Sequence, residues 1–389
     1  MPEGLSRVDQ VLLIVGMVIV GFNLRLSLTS VSPLLEIIQR DLGLSYAVAS
    51  LLTTLPTVCF GVFAFAATPL SRTIGRNRGI LVGILLITVG TLLRLWGYNI
   101  GILFLTTLLV GAGIAVCQTL LPAIISAHFV DRAALVTGLY TASLTIGAGV
   151  ASSVTSPLFQ LFGSWPAALA VWGVLGLVAV IIWIPHTISQ PSSSTDSVTR
   201  HPWLNGWAIL LMLFFGLQSL VFYTTITWLS PYYIMLGWTP TEAGLLLTMV
   251  LVAQLGGTLG LAPLSDRHPD RRPWLALVLA LCCVGFTTIV FVPLMFPWIW
   301  ASILGLGLGG IFALSLTLPV DLTESPRTAD QLTAMMTGGG YLIAAAGPFL
   351  GGVLRDIFDG YAVTFLLLLG ISIALFGSTI LFSPKRQVS

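Results

Sequence analysis

Apolar runs of about 20 residues recur along the whole chain between short polar connections, the signature of helices that cross a bilayer. The runs predict spans at 10–36, 46–70, 79–97, 100–124, 134–159, 165–185, 205–230, 242–264, 274–293, 298–319, 332–354 and 361–382. Most connections are shorter than about fifteen residues, which leaves no room for an extramembrane domain. The first run lacks a small-residue cleavage site and is followed by polar helix, so it reads as a span and not as a cleaved signal. One stretch breaks the rhythm. HTISQPSSSTDSVTRHP, 186–202, is polar, Ser/Thr-rich and interrupted by prolines, the composition of a flexible linker. It divides the chain into a six-helix bundle at 1–186, a cytoplasmic linker at 187–203 and a second six-helix bundle at 204–389.

Composition agrees with the pattern. The 389 residues are 56% hydrophobic and 8% charged, against roughly 25% charged in a soluble domain, so water is not the main solvent. The expected fold class is therefore an all-α membrane protein, with twelve transmembrane helices in two pseudo-symmetric bundles. Cys59, Cys117, Cys282 and Cys283 lie inside apolar runs without metal-ligand spacing and read as small core residues. The net charge of +2 is split among short loops, which gives no sign of a nucleic-acid partner. The partners expected are a small-molecule substrate and the lipid bilayer, with no metal or cofactor, and a monomeric chain.

Charge also orients the chain. With the N-terminus inside, twelve of the sixteen Lys and Arg fall on cytoplasmic segments: Arg7, Arg72, Arg76, Arg78, Arg132, Arg200, Arg267, Arg271, Arg272, Arg327, Lys385 and Arg386. Arg40 and Arg355 fall outside, and Arg25 and Arg94 lie within spans. The bias places both termini in the cytoplasm, the chain crossing the cell's inner (plasma) membrane.

The two halves echo each other. TPLSRTIGRNRGIL at 68–81 and APLSDRHPDRRPWL at 262–275 both carry Pro-Leu-Ser followed by three arginines, and Ser32-Pro33 recurs as Ser230-Pro231. Parallel six-helix repeats with a site between them at mid-membrane form a transporter arrangement. The two loops resemble the Gly-x-x-x-Asp-Arg-x-Gly-Arg-Arg motif of the major facilitator superfamily. Gly75, Arg76 and Arg78 match in the first copy, where Thr68 and Arg72 replace Gly and Asp. Asp266, Arg267, Arg271 and Arg272 match in the second, where Pro269 replaces the later glycine. The resemblance implies a cytoplasmic gate of charged residues, assigned to Arg76, Asp266 and Arg267; the alternative is that they are positive-inside anchors alone. NLRLSLTSVSPLL, LLTTLP, GAGIAVCQTLLPAII, GLGLGG and GYLIAAAGP with GVLRD look like the cyanate permease and nitroimidazole-exporter branch. The first likeness implies a small monovalent anion as substrate, the second a compact polar heterocycle.

Arg25 carries the chemistry. It lies about fifteen residues into its span, roughly 22 Å at about 1.5 Å per residue, past the midplane of a roughly 30 Å core. A charge there costs about 2.5–3.5 kcal/mol on insertion scales. Helical spacing puts Arg25, Thr29 and Ser32 on one face, and Asn23, Ser27 and Ser30 on another beside it. No carboxylate stands at that depth; Glu36, Glu242 and Asp321 come nearest. The guanidinium fork suits a small anion, or else it bonds carbonyls of neighbouring helices. Arg94, close to the outer surface, is expected to snorkel. Gln118 and Gln218 lie at mid-depth as cavity-lining groups or interhelical hydrogen bonders. Tyr223, Trp228 and Tyr341 are candidate aromatic walls, with a place in the interfacial belt as the alternative for Tyr223 and Trp228. The candidate substrate-binding set is Arg25, Asn23, Gln118, Gln218, Tyr223, Trp228 and Tyr341. The glycine clusters at 305–310 and 338–340 read as close helix contacts, and Gly347-Pro348 with Gly351-Gly352 as a bend.

These residues imply a secondary transporter that works by rocking of the two halves. A channel and an integral-membrane enzyme are the rivals. No His, Asp or Glu stands at membrane depth beside a nucleophile, and no ATP-binding loop is present. Glu36 is the best candidate for a coupled proton.

Overall fold

A computed structural model describes residues 7–129, 132–187, 206–265, 268, 270–323 and 326–382. Twelve long helices run in sequence: α1 Arg7–Thr29, α2 Leu51–Ile74, α3 Arg76–Leu93, α4 Ile100–His128, α5 Ala133–Phe162 and α6 Trp165–Ala170 with Trp172–Trp183. The second set is α7 Gly206–Met235, α8 Pro240–Gly256, α9 Arg272–Phe291, α10 Pro297–Asp321, α11 Pro326–Phe358 and α12 Ala362–Ser378. Among the described residues, 11 helices are long and apolar enough to cross a membrane, and α2 adds the shorter apolar helix Leu51–Phe63. Every one of the twelve carries large apolar side chains facing outward, such as Leu161 on α5 and Ile373 on α12. In water such a belt would drive aggregation; in lipid it is the solvated face. The linker expected at 187–203 lies, from 188 onward, outside the described residues, as do Asp266 and Arg267.

The packing repeats with the chain. α1 packs on α5, α2 on α4, α3 on α4 and α6; six helices later α7 packs on α11, α8 on α10, and α9 on α10 and α12. Between the halves the matched pairs are α5 with α8 and α2 with α11. Small residues permit the close approaches. A methyl on Gly309 would strike the Gln254 carbonyl across the α8–α10 contact, and one on Gly352 would sit 2.6 Å from the Tyr46 carbonyl across the halves. The glycines near Pro348 are thus a packing seat within a helix that runs unbroken from Pro326 to Phe358.

The first span departs from its expected form. Instead of one helix through residue 36, α1 stops at Thr29, a 3₁₀ turn covers Ser32–Leu34, and a short helix resumes over Leu35–Leu42. Pro33 explains the break: it has no N–H to offer and its ring crowds the carbonyl four residues earlier. The break cancels the predicted Arg25–Thr29–Ser32 face. Thr29 Oγ1 donates to the Arg25 carbonyl (2.8 Å) beside the Ala148 carbonyl of α5, and Ser32 Oγ donates to the Thr227 carbonyl of α7 (3.0 Å).

The halves are tied at the end remote from both termini. Asp356 accepts the Tyr46 and Ala47 amides, each at 2.9 Å, which caps the turn that leads into α2. Arg355 stacks on Tyr46 and Tyr361 and pairs with Asp359, while the Tyr361 hydroxyl donates to Glu36 (3.0 Å). Ser152 meets Thr248 and Ser156 meets Thr241 across α5 and α8.

Candidate substrate site

Six helices bring polar and aromatic side chains together halfway along the bundle. Arg25 of α1 donates from Nη1 to the Tyr223 hydroxyl of α7 (3.2 Å), with the guanidinium 5.8 Å from that ring's centre. Gln118 of α4 donates from Nε2 to the Tyr341 hydroxyl of α11 (3.3 Å). The two tyrosine rings stand 6.3 Å apart, and Phe60 of α2 lies 6.1 Å from one and 5.7 Å from the other. Each aromatic contact of this kind contributes about 0.5–1.5 kcal/mol beyond burial, so the wall is stiff. Phe215 backs Tyr341 edge-on at 5.4 Å.

The cluster is polar but under-bonded. Arg25 keeps partial exposure, and its partners among the described residues are the Tyr223 hydroxyl and ring, with no carboxylate. Of its five N–H donors, one has a hydrogen-bond partner among the described residues. Gln118 uses one half of its amide and leaves the other, buried, without a partner. A buried polar group left unmade costs about 1–3 kcal/mol.

The other candidates lie elsewhere. Asn23 is spent on its own helix, donating to the Ile19 carbonyl (2.9 Å), and buried Gln218 donates to Ser219 (2.7 Å). Trp228 is fully enclosed at the tied end, its indole donating to the Pro348 carbonyl (2.9 Å) beside Tyr46 and Tyr361. Of the seven substrate candidates, the structure gathers Arg25, Gln118, Tyr223 and Tyr341. In the loop echo, Arg76 is part-buried at the start of α3, and Arg271 pairs with Asp321 of α10 at 2.6 Å while donating to Ser265. Arg272 clasps Asp270 (2.7 Å) and holds that carboxyl below its usual range.

Arg94 overturns its expectation. It does not snorkel: it is 1% exposed, inside the first half, and Nη1 donates to the Ser27 carbonyl (2.6 Å). The break in α1 is the cause. Carbonyls in the last turn of a helix have no partner within it, and a cation is favoured at that end. Ser27 Oγ and Thr91 Oγ1, 2.6 Å apart, complete the clasp. The second polar face of α1 therefore turns toward α3.

Two members of the cluster were not anticipated from the sequence: Phe60, one apolar residue among many, and Tyr140 of α5. Tyr140 is 5% exposed, and its hydroxyl has no hydrogen-bond partner. Its only signal was a tyrosine within a Gly/Ser-rich span, away from the interfacial belts.

Two matched six-helix halves around a central, under-bonded polar cluster define a membrane transporter. The sequence matches the model of the Major Facilitator Superfamily over residues 17–323 and 211–389, and the chain belongs to that superfamily. It is a multi-pass secondary transporter and not an enzyme. It is 35% identical to the cyanate transport protein of Escherichia coli K12, over 95% of this chain and 97% of that one. It is 32% identical to the 2-nitroimidazole transporter of the same organism, over 96% of each. The fold matches a bacterial homologue of the lysosomal transporter Spinster, in an inward-facing conformation, with TM-score 0.81 at 17% identity over 99% of this chain and 100% of that one. A D-xylose–proton symporter matches with TM-score 0.73 at 14% identity, over 97% of this chain and 98% of that one.

Proposed function

We propose that the protein moves a small anion or compact polar solute, cyanate-like in size and charge, through a central site whose charge is Arg25. The observation that carries this reading is the guanidinium itself. It sits at mid-bundle where the halves meet, partly exposed, bonded to one hydroxyl of the other half and without a carboxylate among the described residues. Rocking of the halves about this cluster would expose it to each side in turn. The full-length similarity to a cyanate transporter supports the choice of substrate class. The chain would lie in the inner membrane as a monomer, both termini in the cytoplasm, its two bundles joined by the linker at 187–203. The tied end then faces outward. Arg76, Asp266 and Arg267 remain the proposed charge network on the cytoplasmic side.

A second reading has its own support. Phe60, Tyr223 and Tyr341 pack against one another beside Arg25, an aromatic cluster that suits a heteroaromatic solute such as a nitroimidazole. Counterflow in proteoliposomes decides between them. Labelled cyanate should exchange saturably in the wild type and not in Arg25→Ala, whereas exchange of 2-nitroimidazole alone would select the second reading. Arg25→Ala protein that exchanges either solute at the wild-type rate removes Arg25 from the site.

A further inference from the structure

We propose that Tyr140 is a direct ligand of the transported solute, its hydroxyl giving a second hydrogen bond beside Arg25; this rests on the central site proposed above. The side chain is almost wholly buried, yet its oxygen bonds nothing in the protein. Buried hydroxyls in native interiors have partners as a rule. One left bare beside an under-bonded cation marks a position that a ligand completes.

Placement supports the assignment. A methyl on Gly21 would strike the Ser143 hydroxyl and come within 3.0 Å of the Tyr140 ring, so both α5 side chains lie against α1 at this glycine. Arg25 is one turn further along the same face, and a helical side chain leans back over the turn that precedes it. The guanidinium and the ring thus converge on one patch of α1. Tyr140 lies within electrostatic range of both Arg25 and Tyr341. An acceptor atom of an anion or of a nitro group, held by the Arg25 fork on the gap side, would meet the Tyr140 hydroxyl from α5. Ligand contacts would then come from both partners of the α1–α5 pair, and not from α1 alone.

Tyr140→Phe isolates the claim, because removing an oxygen without a protein partner breaks no bond of the folded chain. Purified full-length protein is screened by thermal shift with cyanate, nitrate and 2-nitroimidazole, and the probe that stabilises the wild type is titrated against the variants. Without ligand, Tyr140→Phe should melt at or above the wild-type temperature. With ligand, it should bind roughly tenfold to a hundredfold more weakly, the effect of one hydrogen bond to a charged or strongly polar group. Unchanged affinity in Tyr140→Phe, with binding lost in Arg25→Ala, overturns the assignment of Tyr140 and leaves the central site standing. A Tyr140→Phe chain that fails to fold overturns it too, since the hydroxyl would then be structural. A wild type that none of the probes stabilises, or an Arg25→Ala chain that binds as the wild type does, removes the site and Tyr140 together.

Discussion

Arg25 and Arg94 lie in the same half, in helices that pack on each other, and both are charges inside apolar spans. Their surroundings differ in kind. Arg94 is sealed, with a helix-end carbonyl clasped at 2.6 Å and a buried Nε without a partner. Arg25 is at the seam between halves, partly exposed and bonded to one hydroxyl. The first charge stabilises one bundle by satisfying a carbonyl that the α1 break leaves bare. The second is incompletely compensated, and that shortfall is what a transported anion can supply. A buried arginine is therefore not a site by itself; Arg25 differs from Arg94 in being partly exposed where the two halves meet.

The comparison breaks if the two arginines respond alike to substitution. The largest effect belongs to Arg25→Ala, expected to cut transport by about a hundredfold or more, a loss of about 2.7 kcal/mol or greater. Its melting temperature should stay close to the wild-type value. Arg94→Ala should do the reverse. It strands the Ser27 carbonyl and leaves a void, for a loss of about 2–5 kcal/mol in unfolding measurements. Its residual folded fraction should still bind the probe. Arg94→Lys keeps one donor and should recover part of that loss.

Smaller effects sharpen the picture at the tied end. Asp356→Ala removes the acceptor for two α2-leading amides across the halves. Loss of a cap costs about 0.5–2 kcal/mol, here as a bias toward opening at that end. Thr53→Cys, buried beneath it, should then be labelled faster by an impermeant maleimide in a background without native thiols. An unchanged labelling rate would show that the cap does not hold the halves shut. Smallest of all is Asp270→Asn. Arg272 depresses the Asp270 carboxyl, so whatever stability the pair gives is present above the unfolded carboxylate range and is lost as pH falls through the lower folded value. Exposed pairs contribute little, and the variant should melt within a degree or two of the wild type at neutral pH.

The class of protein was legible because it depends on local sums. Twenty-residue apolar runs, the Lys/Arg bias, the paired Pro-Leu-Ser loops and the lone deep Arg25 can each be read from neighbours along the chain. Spacing put Gln118 at mid-depth, but equally so Gln218, because depth does not say which side of a helix meets the other half. Trp228 shows the same limit: an amphipathic ring near a span end serves a cavity, an interface or a packed seal with one sequence pattern.

From the sequence alone came the solvent the chain lives in, its twofold repeat and a charge too deep to reach water easily. Those follow from transfer free energies that add residue by residue. Tertiary structure decided the rest: that Pro33 turns a break in α1 into the berth for Arg94, that Gly21 admits the Tyr140 ring next to Arg25, and that the halves close at one end. Such outcomes depend on which helix faces meet and which polar atoms are left over once they have met, and only the packed chain settles that.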